Sequence, residues 1–291
     1  MSTPLFGSVG VWAGARDFAR QHGYEGASFE DRAGEIEQLG YGALWVGATF
    51  ESHLTPLEEA LANSQNLTVG SSIVNIWTAP AKEVAASFHR LEARFPGRLV
   101  LGVGAGHREA QGEVYQSPYK ALVSYLDELE EAGVPKDRIA IAALRARALR
   151  LSAQRTVAAL PFLVPVEHTR KARELLGPGP KIATEVKVVF GDDQTVARRM
   201  VGEYLKMSNY VNSLRENGFP ELHVGDEPSD ALVDALVLRG AIPHIAAGVK
   251  ERLAAGADHV AVQVLQNDHD PVAGLAELAT ELRLGGSKPS R

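Results

Sequence analysis

The side chains able to do chemistry in this 291-residue chain are few, and most follow short apolar runs. His107 closes the run GVGAGH, Gly102 to His107. Alternating glycines at a strand end let another group approach the backbone, so His107 is a candidate proton donor or hydrogen-bond donor. The alternative is a solvent-exposed loop histidine. In SSIVNIW, Asn75 and Trp77 alternate onto one side and offer an amide and a flat ring. They read as binding residues, Trp77 towards substrate, or as a capped loop and an aromatic plug. Gln263 in VAVQV needs a partner if buried, and a substrate is one such partner.

Three arginines, Arg145, Arg147 and Arg150, crowd a helix start in AALRARALR. Cations there oppose the helix dipole, and a phosphate on the helix amino terminus would resolve the conflict. The alternative is a solvated basic face. Glu185 and Lys187 stand two residues apart on one strand face and read as a structural pair. His259, at the start of HVAVQV, reads as a structural histidine. No metal is expected: the nine histidines show no HxH or HExxH spacing and there is no cysteine. Neither a G-x-S-x-G elbow nor a P-loop is present. A dinucleotide fingerprint would need glycine at the position of His107.

These residues need elements to hold them, and the pattern alternates. Short apolar runs, Leu5–Trp12, Ala43–Val46, Leu67–Ile76, Leu99–Gly104, Ile139–Ala142, Val157–Leu163, Ile182–Phe190 and His259–Leu265, read as strands. Between them lie stretches of helical period, the last being Pro271–Leu284. Eight doubly buried strands alternating with helices predict an α/β fold, a (β/α)8 TIM barrel, with its site at the carboxyl ends of the strands. Leu39-Gly40-Tyr41-Gly42 and Ala255-Gly256 read as helix stops feeding strands. One domain, 1–291, is expected, with a helical insertion at about 191–258 between strands seven and eight and a frayed tail at 285–291. A helical piece is expected from Ser229 to Leu238. The insertion serves as a packed excursion, a lid or the contact of a homodimer.

The net charge of −6 excludes a basic nucleic-acid surface. No window is long and apolar enough for a membrane helix, and MSTPLFGSVGVW lacks the pattern of a signal peptide. With no cysteine, a cytoplasmic location and a small-molecule substrate are the expectation.

The segments LGYGALWVG, TVGSSIVNIWTAPAKEVAASFHRLEARFPGRLVLGVGAGH, PFLVPVEHTRKARELLGPGP and GADHVAVQVL resemble the bacterial-luciferase-like superfamily. Within it, the likeness is greatest to actinobacterial oxidoreductases that use the deazaflavin coenzyme F-420. The resemblance implies hydride transfer between that cofactor and a small organic substrate. It further implies a bulge with a cis peptide at Ser72 and Ile73 behind the cofactor ring. Gly104, Ala105, Gly106, Ala143, Leu144, Ala146 and Arg147 match the positions that hold the cofactor's arm, with Asn75 nearby. The Asp-His pair of the sugar-phosphate dehydrogenases is replaced by Ala48 and Thr49, and their glutamate by His107. That excludes the sugar-phosphate reaction and leaves His107 as the candidate proton donor. An FMN-dependent monooxygenase and a non-catalytic flavin-binding relative are the alternatives.

Overall fold

The computed structural model describes residues 5–14, 28–49, 51–114, 117–265 and 270–285. Most of the tail, 286–291, lies outside them. In chain order the elements are β1 (Val9–Gly14), α1 (Ala33–Gln38), β2 (Ala43–Thr49), α2 (Thr55–Ala62), β3 (Thr68–Asn75), α3 (Ala81–Arg94), β4 (Leu99–Gly104), the short α4 (Arg108–Gln111), α5 (Pro118–Glu131) and β5 (Ile139–Ala142). They continue with α6 (Ala146–Arg155), β6 (Ala158–Leu160), α7 (Val166–Leu176), β7 (Lys181–Phe190), α8 (Gln194–Leu205), α9 (Ser208–Glu216), α10 (Asp230–Leu236), β8 (Val237–Gly240), α11 (Ile242–Ala254), β9 (His259–Val264) and α12 (Pro271–Leu282).

Strands β1 to β7 and β9 pair in parallel. The β6–β7 and β9–β1 pairings close them into an eight-stranded barrel. β4 reads LVLGVG and is buried throughout, because one face looks into the barrel and helices cover the other. Outside, α3 buries Val84, Ala85, Phe88 and Leu91, the stripe of an amphipathic helix. The Ala255-Gly256 stop is enforced twice. Gly256 has a φ of +113°, and a Cβ there would collide with the Arg173 side chain. Arg173 in turn donates to the Gly256 carbonyl at 3.0 Å and pairs with Asp258, anchoring the entry to β9.

The barrel interior is packed. Trp12 and Trp45 fill it among Ala140, Ala158, Leu160, Ala183 and Ala261. Room for the indoles comes from glycines: a Cβ on Gly47 would strike the Trp12 ring, and one on Gly70 the Trp45 ring.

The helix expected to reach Leu238 stops at Leu236, and the chain becomes a ninth strand. β6 pairs with β7 only at Lys181 and Ile182, and on that edge β8 takes Lys187–Phe190. An open strand edge with unpaired amides is thereby covered. The excursion between β7 and α11 builds its own apolar cluster, including Val201, Leu205, Leu214 and Leu232, and joins the barrel through Leu163, Val189 and Leu265.

Candidate functional site at the barrel mouth

The β4 glycines are crowded by the chain itself. Ser71 Oγ donates to the Gly102 carbonyl and accepts from the Gly102 amide, both at 2.9 Å. A Cβ at Gly102 would collide with the Ser71 carbonyl, one at Gly104 with Ala142, and one at Gly106 would crowd the Asn75 amide. The close approach that the glycines permit is therefore made by neighbouring strands. The β3–β4 register shifts between Gly70 and Val74. The Ser72–Ile73 peptide is cis, as the resemblance implies. Asn75 is buried, and its Oδ1 accepts from the Trp77 amide at 2.9 Å. Trp77 Nε1 donates to the Ala105 carbonyl at 2.7 Å. These two residues thus brace the β3 loop against the glycine loop.

A run of ring contacts crosses the mouth. Trp12 meets Phe162 with centroids 5.4 Å apart, Phe162 meets Tyr210 at 6.2 Å, and Tyr210 meets His107 at 4.6 Å. Tyr204 touches both Phe162 and Tyr210. Tyr204 and Tyr210 come from α8 and α9, so the excursion supplies one wall of the mouth. Glu109, beside His107, accepts from Ser208 N at 2.9 Å and Ser208 Oγ at 2.6 Å, latching the β4 loop to the start of α9. Burial pushes the His107 imidazole below its usual range, against a weaker upward pull from Glu109. At neutral pH the ring is accordingly uncharged. Burial pushes both phenols upward.

Beneath Phe162 lies the expected pair. Lys187 Nζ donates to Glu185 Oε1 at 2.9 Å and sits 3.8 Å from the Phe162 centroid and 4.9 Å from that of Tyr204. Glu185 Oε2 accepts from the Leu163 amide at 3.1 Å. Burial lowers the lysine's proton affinity, while Glu185 opposes that shift. A cavity of about 10 Å³ is left among Trp12, Ser72, Phe162 and Glu185, room for one water. A ring-sized ligand has to lie above this layer. Three buried polar atoms here have no partner: Trp12 Nε1, His107 Nδ1 and Gln263 Oε1.

The β5–α6 turn stands next to the glycine loop, since β4 and β5 are paired. Ala143 is buried, and the Leu144 carbonyl meets His168 Nε2 at 2.6 Å, which fixes the turn from α7. α6 opens at Ala146 with Arg145 as its cap residue, no side-chain cap and no acid in its first turn. Arg147 lies 3.6 Å from the Tyr119 ring centroid. Arg145, Arg147 and Arg150 are exposed, and among the described residues no carboxylate pairs with them.

At the opposite, amino end of the barrel, Trp45 Nε1 donates to His259 Nε2 at 3.0 Å, and His259 Nδ1 meets the Gly7 carbonyl at 3.0 Å. His259 is structural, as read from its position. A larger cavity of about 710 Å³ opens between the ends of β7 and β8 and the starts of α11 and α12, lined in part by Asp192, Asp270 and Glu277. Its acidic lining does not suit a phosphate. Among the described residues no cluster of His, Asp and Glu is placed to hold a metal, and no helix is long and apolar enough to cross a membrane.

Sequence reasoning missed Trp12, Phe162, Tyr204, Tyr210 and His168 as mouth residues. Only Trp12 carried a signal, two residues after Gly10 on the inward face of β1.

With this geometry in hand, comparison with known proteins is informative. The luciferase-like monooxygenase family model matches residues 8–132, from β1 to the end of α5. No curated protein matches the chain by sequence. Among solved structures, an F-420-dependent secondary alcohol dehydrogenase in complex with an F-420–acetone adduct is similar at 12% identity over 96% of this chain and 99% of that one, with a TM-score of 0.72. The coenzyme F-420-dependent tetrahydromethanopterin reductase from Methanopyrus kandleri is 12% identical over 97% and 100%, with a TM-score of 0.71. The oxygenating constituent of 3,6-diketocamphane monooxygenase from Pseudomonas putida, in complex with FMN, is 13% identical over 95% and 98%, with a TM-score of 0.66. The resemblance read from the sequence stands, and the fold is that of the luciferase-like (β/α)8 barrel.

Proposed function

We propose that this protein is an oxidoreductase that binds the deazaflavin coenzyme F-420, or else FMN, at the barrel mouth and acts with it on a small organic substrate. The observation that carries the reading is the amino terminus of α6. It has free amides, no side-chain cap and no acid in the first turn, with Arg145, Arg147 and Arg150 beside it. That donor set suits a phosphate, and Tyr119 holds the Arg147 guanidinium in place. The unpartnered polar atoms of Trp12, His107 and Gln263 suit a polar ring lying above the packed interior.

In this reading Arg147, Ala146 and the turn of Ala143 and Leu144 hold the phosphate end. Ser72, Ile73 and the Gly104–Gly106 loop, braced by Asn75, face the ring. The cofactor supplies a centre that gives or takes a hydride. His107, neutral and buried beside Tyr210, holds or donates the proton that a carbonyl-type substrate needs, and Trp77 and Gln263 bound the substrate's space. The Tyr204 and Tyr210 wall excludes water. A cytoplasmic, homodimeric enzyme without metal completes the proposal.

The test is an absorbance titration of the purified protein with coenzyme F-420 and with FMN, repeated with reductant and oxygen. Selective binding of the deazaflavin is expected. Oxygen consumption with reduced FMN favours a monooxygenase, and binding without turnover of any substrate favours a non-catalytic relative. Arg147→Glu should weaken cofactor binding by about 1–3 kcal/mol. Unchanged affinity would reduce the arginine cluster to a solvated face.

A further inference from the structure

Two of the unpartnered atoms stand side by side. Val11 of β1 pairs in register with Val262 of β9, so the next positions, Trp12 and Gln263, are cross-strand neighbours. Both belong to the inward series: Trp12 lies in the barrel-interior cluster, and Gln263 follows Ala261 of that cluster by two residues. Trp12 is 6% exposed and Gln263 9%, yet Nε1 of the first and Oε1 of the second have no hydrogen-bond partner. A buried donor and a buried acceptor left unmatched both cost free energy.

The neighbours do not resolve this. Lys187 is in register with Gln263 on its other side, but its ammonium is turned to Glu185 and the faces of Phe162 and Tyr204. One layer nearer the amino end, the same residue types are matched: Trp45 Nε1 donates to His259, which also stands on β9. The barrel therefore can pair an indole N–H with a β9 side chain, and at the mouth it leaves both open.

We propose that Trp12 and Gln263 form a recognition pair for an amide edge, a ligand group carrying a carbonyl beside an N–H. Trp12 Nε1 donates to the carbonyl, and Gln263 Oε1 accepts from the N–H. Two sources offer this chemistry: the pyrimidinedione edge of the flavin or deazaflavin ring, or a cyclic amide or imide substrate. The first source rests on the cofactor reading above; the second does not.

The experiment compares ligands that differ only in that N–H. In the first arm, FMN and a 5-deazaflavin mononucleotide are titrated against their N3-methylated analogues, with affinity read by fluorescence. In the second, succinimide and N-methylsuccinimide are titrated into cofactor-loaded and cofactor-free protein, with binding read by NMR. About tenfold preference for the N–H form in either arm, lost in Gln263→Met, supports the pair and assigns its source. Equal binding of both forms in both arms overturns it, and this comparison needs only the wild-type protein. A crystal structure of the loaded protein with Trp12 bonded directly to Gln263, or with one water bridging them, also overturns it. If no flavin or deazaflavin binds, the cofactor reading falls, and the succinimide arm on cofactor-free protein decides the pair alone.

Discussion

The two ends of this barrel are built from similar parts and finished differently. At the amino end, Trp45, His259 and the Gly7 carbonyl close a continuous hydrogen-bonded chain, with Phe6 packed edge-on against both rings. At the carboxyl end, Trp12, Gln263 and His107 each keep an unmatched buried atom, under a wall borrowed from the excursion. The difference separates stability from function. A closed end lowers the free energy of the fold, whereas an open end keeps polar groups for something the chain does not contain.

The contrast breaks most sharply at His107. Changing it to alanine should lower turnover by about 10²–10⁴-fold, the range for losing a general acid, with the unfolding midpoint little changed. Steady-state kinetics beside thermal unfolding checks this. A turnover within a few-fold of wild type would remove His107 as the proton donor.

Next in size is the buried pair below the mouth. Lys187→Met strands the Glu185 carboxylate and should cost about 3–5 kcal/mol in urea unfolding. The double variant Lys187→Met/Glu185→Leu should recover part of that loss, although the Leu163 amide then loses its acceptor. A single variant as stable as wild type would show that the pair is not held in its buried form.

At the amino end the effect is one of pH. Burial lowers the His259 pKa from 6.5 to about 4, against weaker upward pulls from backbone hydrogen bonds at Gly7 and Phe6. Between those values the unfolded chain binds a proton that the folded chain does not. Stability is therefore full above about pH 6.5 and falls as the pH drops towards about 4, by about 3 kcal/mol in all. Urea midpoints across this range, compared with those of His259→Gln, would isolate the contribution. A wild-type profile parallel to the variant's would sink it.

The smallest effect sharpens the comparison most. Without ligand, Gln263→Met should change stability by less than about 1 kcal/mol, since it removes an acceptor that was never paired. Removing His259 breaks two hydrogen bonds and should cost several times more. Equal losses at both positions would mean that the mouth is as closed as the base.

The sequence by itself determined the barrel. Eight apolar runs spaced by helical stretches could bury both faces only in a parallel sheet covered by helices, and each run lies in or overlaps a barrel strand. Edges moved where tertiary context intervened: β1 runs from Val9 to Gly14 rather than from Leu5 to Trp12, and β6 keeps three residues. Glu185 and Lys187 were legible as a pair because a two-residue spacing puts side chains on one face of a strand. The placement of His107 and the arginines at strand ends was legible for the same local reason. What only the tertiary structure decided depends on chain far apart in sequence. β8 exists because β6 is too short to cover the edge of β7. Tyr204 and Tyr210 reach the mouth because the excursion folds back over Phe162 and His107. Trp12 and Gln263 are neighbours because β9 closes the ring against β1. Periodicity reports which way a side chain points; it carries no information about which distant side chain it will meet.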